Sequence, residues 1–157
     1  MTQPWFEGKL DSIQDFLMRA GKYRADSLLS ALEDALQLKE ATGVDLSAEE
    51  NVVLSIEALQ REVNNGGFDQ FLLNSSQRFA PIIVDSLNRI NAPEVAEIAT
   101  NALAAHVANE AVKRPFGDDD EELIALLEVC DQRFYEIAGI DDRLFAFVLT
   151  NKERIRF

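Results

Sequence analysis

The sequence predicts an all-α protein, a single-domain orthogonal bundle of about eight helices over residues 1–157. Three observations carry that expectation. Apolar residues recur at three- and four-residue spacing along the chain, as in Val52, Val53, Ile56, Leu59 and Val63, so each segment has one face to bury. No stretch alternates with the period of two that a half-buried strand requires. The periodic segments are punctuated by helix-stopping and helix-starting residues, among them Gly21, Gly43, Gly66-Gly67, Pro93 and Pro115.

The elements follow in order. Leu10, Ile13, Phe16 or Leu17 and Ala20 mark a first helix closed by Gly21. A second runs from Ala25 to Ala41 with Leu28, Leu29, Leu32, Ala35 and Leu36 inward, and Gly43 stops it. Ser47-Ala48-Glu49-Glu50 has the form of a capping box, so Ser47 starts the third helix. That helix ends at Asn65-Gly66-Gly67, and Phe68, Phe71 and Leu72 restart the pattern as a short fourth helix to Asn74. After a Ser75-Ser76 hinge, Phe79, Ile82, Ile83, Leu87 and Ile90 form a fifth, with Pro81 in its first turn. The sixth, Glu94 to Lys113, is rich in alanine and reads as central, and Pro115-Phe116-Gly117 breaks it. Asp118–Glu122 opens a seventh with Leu123, Leu127, Cys130, Phe134 and Ile137 as its apolar stripe and Gly139 as its cap. Asp141 begins the last, which carries Leu144, Phe145 and Val148 and is followed by the basic Lys152, Arg154 and Arg156.

Composition narrows the function. The 157 residues are 47% hydrophobic and long enough to bury a real core. A net charge of −13 opposes direct binding to nucleic acid or an anionic membrane, which carry the same sign. Cys130 is the sole cysteine, so no internal disulfide can form and a reducing cytoplasm is the expected setting. The N-terminal residues lack the basic and apolar regions of a signal peptide, and the run Leu144–Leu149 is far too short to span a bilayer.

The corner between the third and fourth helices gathers polar groups: Glu62, Asn64, Asn65, Gln70 and Asn74. Two readings are open. In one the amides cap helix ends around the two glycines; in the other they line a polar pocket. Neither a dinucleotide nor a phosphate-loop glycine pattern is present.

As a string, Glu62-Val63-Asn64-Asn65-Gly66-Gly67-Phe68-Asp69-Gln70-Phe71 followed by Asn74-Ser75-Ser76 resembles the signature of a bacterial family of small acidic helical proteins with a domain of unknown function. That family includes the DNA mimic protein 19 type. The flanking helices resemble it in length, charge and helical pattern. The resemblance implies a homodimer whose acidic surface imitates duplex DNA and occupies a basic DNA-binding protein, a helix-turn-helix transcription factor being the type of partner described.

The charge distribution bears on that implication. Residues 1–60 hold 11 acids and 5 bases, residues 61–114 hold 6 and 5, and residues 115–157 hold 11 and 5. The near-neutral middle therefore reads as core and the ends as the acidic exterior. First-turn acids complement a helix dipole and account for part of Asp118–Glu122. They do not account for the like-charged pair Asp11 and Asp15, or for Glu121, Glu128 and Asp131 opposite the apolar stripe. The candidate partner-binding acids are Asp11, Asp15, Asp26, Glu33, Asp34, Asp118, Asp119, Asp120, Glu121, Glu122, Glu128 and Asp131. The competing reading is an ordinary solvated acidic surface.

Catalysis is not expected, and no catalytic residue, metal ligand set or cofactor is assigned. His106 is the one histidine, with Glu110 a turn away, and Cys130 lies on an apolar stripe. Neither paired Cys/His spacing nor a nucleophile-elbow pattern occurs. Two alternatives to mimicry stand: an immunity-type module for another basic partner, and an enzyme with a pocket at Gly66-Gly67.

Overall fold

The caps written in the sequence set most of the helix boundaries. The computed structural model describes residues 2–111 and 120–157. In those residues the helices are α1 (Ile13–Arg19), α2 (Ala25–Ala41), α3 (Ala48–Leu73), α4 (Ala80–Arg89), α5 (Pro93–Ala111), α6 (Glu121–Tyr135) and α7 (Ile140–Thr150). Short 3₁₀ turns occupy Ser75–Phe79 and Lys152–Arg154. No strand occurs among the described residues, so the protein is all-α. The third and fourth expected helices are one interrupted element, α3, whose backbone leaves helical geometry at Gly66 and Gly67.

Other differences have local causes. Leu10 is buried but lies before α1, because Ser12 is the N-cap and its hydroxyl accepts from the Asp15 N–H. Gly139 does not cap α6; it takes a left-handed conformation at the N-cap of α7, and α6 already ends at Tyr135. Within the opening run Asp118–Glu122, Asp120 caps α6 by accepting from the Glu122 and Leu123 N–H groups. The expected break at Pro115-Phe116-Gly117 and the helix end at Lys113 lie outside the described residues.

The chain divides into two compact units. The first comprises Met1–Glu57 and Gly139–Phe157, the second Ala58–Ala138. Both units contribute buried apolar residues, among them Phe16 and Leu28 in the first and Phe68 and Ile98 in the second.

In the first unit α2 packs against α1 and α7. Leu28, Leu29, Leu32 and Leu36 present one continuous apolar face and are fully buried. Phe16 of α1 stacks on Phe145 of α7 at 5.2 Å between ring centres. The segment ahead of α1 is tied to the start of α2: Phe6 N–H donates to Ser27 Oγ, Arg24 N–H donates to Pro4 O, and Phe6 meets Tyr23 edge-on at 5.2 Å. In the second unit α5 packs against both α4 and α6. Ala96, Ala99 and Ala102 line its buried side, the close-approach role its alanines suggest.

The capping box is present and does more than start a helix. Ser47 Oγ accepts from Glu50 N–H at 3.1 Å, and Glu50 Oε2 accepts from Ser47 N–H at 2.8 Å. The Glu50 side chain is 1% exposed, and it also receives Lys39 Nζ at 2.7 Å and the Arg156 N–H at 2.8 Å. Lys39 in turn donates to Arg156 O at 2.8 Å. One carboxylate thus joins α2, α3 and the C-terminal segment. Its loss strands a largely buried ammonium, whereas loss of the cap hydroxyl removes two neutral hydrogen bonds, one from Glu50 N–H and one to Arg154 O. Glu50→Ala is expected to lower stability by about 3 kcal/mol and Ser47→Ala by about 1 kcal/mol. Urea denaturation checks the order; equal losses would contradict the assignment.

Candidate functional site

A helix that stops and restarts within α3 leaves backbone groups without their usual partners. Gly67 has φ +79 and ψ −179, a conformation that only glycine adopts without strain. Two backbone groups flanking the interruption, the Val63 carbonyl and the Phe68 N–H, are bonded by side chains of α6. Tyr135 donates its hydroxyl to Val63 O at 2.8 Å, and Asp131 Oδ1 accepts from Phe68 N–H at 2.8 Å. Asp131 and Tyr135 are four residues apart, so they project from one side of α6. Between them Phe134 meets Phe68 edge-on at 5.9 Å.

Space at the corner is reserved for these contacts. A Cβ on Gly67 would run into the Asp131 carboxylate, and one on Gly66 into the Gln70 side-chain amide. Gln70 is itself held: its Nε2 donates to Glu62 Oε2 at 2.7 Å, and Asn74 Nδ2 donates to the same oxygen at 2.9 Å. Glu62, only 13% exposed, therefore bridges the two halves of α3. Phe68 and Phe71 lie in the core beneath. Asn64, Asn65 and Asp69 face solvent. The signature is thus largely a device for making and sealing a bend.

Burial pushes the Asp131 carboxyl above its ordinary value near 3.8. The Phe68 N–H opposes that shift, while Asp69 and Glu128 reinforce it. Burial likewise raises the Cys130 thiol, leaving it a poor nucleophile. His106 Nε2 lies 3.3 Å from Glu110 Oε1 on the next turn of α5.

The candidate acids fall into distinct environments. Asp15 pairs with Arg19 within α1, and Asp26 pairs with Arg24 while accepting from the Ser27 N–H. Glu33 is buried and accepts from Gln37 at 3.0 Å. Asp120 caps α6 and Asp131 seals the corner. Asp11 and Asp34 in the first unit, and Glu121, Glu122 and Glu128 in the second, are exposed. Asp118 and Asp119 lie outside the described residues. The two sets occupy separate units, and the exposed candidate acids of the second unit stand on α6, while Glu97 and Glu110 are exposed on α5.

Sequence reasoning missed Tyr135 and the sealing role of Asp131. A Gly-Gly break announces orphaned backbone groups, but local pattern does not say which distant side chain meets them. No group of histidine, cysteine or acidic residues among the described residues could hold a metal ion. No helix there is long and apolar enough to cross a membrane.

The seal predicts a distinctive mutational pair. Asp131→Ala removes the acceptor and should cost about 1–3 kcal/mol, whereas Asp131→Asn keeps an oxygen and should cost less. The folded carboxyl holds its proton more tightly than the unfolded one, so its contribution to stability is full below the unfolded value and is lost as pH rises through the folded one. Asp131→Asn should therefore gain on the unchanged chain between acid and neutral pH. Melting curves across that range check the sign, and a gain in the opposite direction would contradict it.

A protein-family model for DMP19-like proteins matches residues 44–151, more than half of the chain. The match includes the bent α3, α4, α5, α6 and α7, and thus the whole sealed corner. Neither curated proteins nor solved structures gave a match. On that match, the chain belongs to the DMP19-like protein family.

Proposed function

We propose that this protein is a DNA mimic: an acidic, non-enzymatic protein that binds the basic DNA-binding surface of another protein and blocks access by DNA. The observation that carries this reading is the placement of charge. Glu121, Glu122 and Glu128 stand exposed on α6, a helix anchored to the core by Leu127, Cys130 and Phe134. Duplex DNA presents about one charge per ~1.7 Å of axis. Carboxylates fixed on a rigid helix can meet the lysines and arginines that DNA would meet. The net charge of −13 adds a long-range attraction that speeds encounter and weakens with salt.

The family name supports the same reading, and the polar corner supports it indirectly, since Glu62, Gln70 and Asn74 are bonded to one another. The partner class is a basic DNA-binding protein, a helix-turn-helix transcription factor in the first instance. The assembly is a homodimer acting in the cytoplasm, without a cofactor, and it touches neither nucleic acid nor membrane directly.

Capture of cytoplasmic proteins at low salt, eluted by a salt gradient and competed with duplex DNA, tests this. The reading expects a DNA-binding protein that elutes steeply with salt and is displaced by DNA. It expects the combined Glu121→Gln, Glu122→Gln and Glu128→Gln chain to retain the fold and lose at least about tenfold in affinity. Retention indifferent to salt, to DNA and to these substitutions would refute it.

A further inference from the structure

A second feature lies wholly in the first unit. A groove of about 670 Å³ runs along the outer side of α2, between it and the segment ahead of α1. Every residue lining it falls outside residues 44–151, so the groove is not part of what the family match describes. Its walls are apolar: Leu10 on one side and Leu38, 69% exposed, on the other. Ala31 and Ala35, one turn apart, make a floor low enough for an occupant to approach the α2 backbone.

The rim sets the sign of the occupant. Lys39 faces the groove, but its ammonium is taken by both oxygens of Glu50 and by Arg156 O, at 2.7–2.9 Å. Asp11 and Asp34 remain exposed at the edge, against Lys9 alone, on a chain of net charge −13. An apolar trough with an acidic margin complements a segment whose large apolar side chains are flanked by cations.

We infer that this groove docks a short amphipathic helix of a protein partner, apolar on one face and lysine- or arginine-rich at its edges. The inference rests on the mimic reading only for the kind of partner; the groove's shape and charge are independent of it. Asp11 and Asp34 would supply steering and salt sensitivity. The groove would supply a desolvated apolar anchor, the kind of contact that dominates affinity in most interfaces.

The test uses the full chain and a fluorescein-labelled helical peptide with leucines at i and i+4 between lysines, read by anisotropy. A matched peptide carries glutamates in place of the lysines. Leu38→Gln should weaken binding of the lysine peptide about tenfold or more, with unchanged circular dichroism because Leu38 is not in the core. Ala35→Met, which raises the floor, should act in the same direction. Asp11→Asn with Asp34→Asn should weaken binding several-fold and flatten its salt dependence.

Three results would overturn the inference: no binding of either peptide, equal binding of both, or binding indifferent to Leu38→Gln and Ala35→Met. Equal binding of both would mark an unselective apolar cleft. The two proposals fail separately. A chain that captures a DNA-displaceable protein through α6 yet ignores the peptides overturns the groove alone. One that binds the lysine peptide but no such protein overturns the mimic reading alone.

Discussion

The interruption of α3 at Gly66-Gly67 is the constraint on which the rest of the second unit depends. A helix cannot bend sharply without freeing backbone donors and acceptors, and a buried unpaired group costs about 1–3 kcal/mol. This chain resolves the problem with a second helix. Asp131 and Tyr135 of α6 bond the Phe68 N–H and the Val63 carbonyl, and Phe134 packs against Phe68 between them. The bend and the position of α6 are therefore fixed together. Because α6 also carries Glu121, Glu122 and Glu128, the seal orients the exposed acids.

That coupling gives the polar residues of the signature a physical purpose short of chemistry. Glu62 accepts from Gln70 and Asn74 across the bend, Gly66 leaves room for Gln70, and Gly67 leaves room for Asp131. Carboxylates serve two purposes in this molecule. Those at Glu50, Glu62, Asp120 and Asp131 are internal acceptors that hold segments together. Those at Asp11, Asp34, Glu121, Glu122 and Glu128 face solvent. The proposed interaction belongs to the second set.

Much of this was legible before the structure. Helical spacing gave the all-α class, the S-x-x-E pattern placed Ser47 at the start of α3, and the limits of α2 follow from its leucines and Gly43. The signature located the bend and the family. What local pattern could not supply were contacts between residues far apart in sequence. Glu50 with Arg156 and Tyr135 with Val63 join residues more than seventy positions apart, and no periodicity encodes them. Charge counting likewise could not separate Asp131 or Glu33 from Glu128, because acids on one helix differ only in what packs beside them. The groove is invisible in sequence for the same reason.

On the proposed function, the corner builds the fold while the exposed acids make the interaction. Glu62→Gln tests it most directly, since it replaces the shared acceptor of Gln70 and Asn74 without touching an exposed candidate acid. Partner capture should be measured at a temperature where the substituted chain is fully folded, alongside its denaturation midpoint. The account predicts a lower midpoint and unchanged, salt-sensitive capture. An unchanged midpoint with capture lost would move the function into the corner itself.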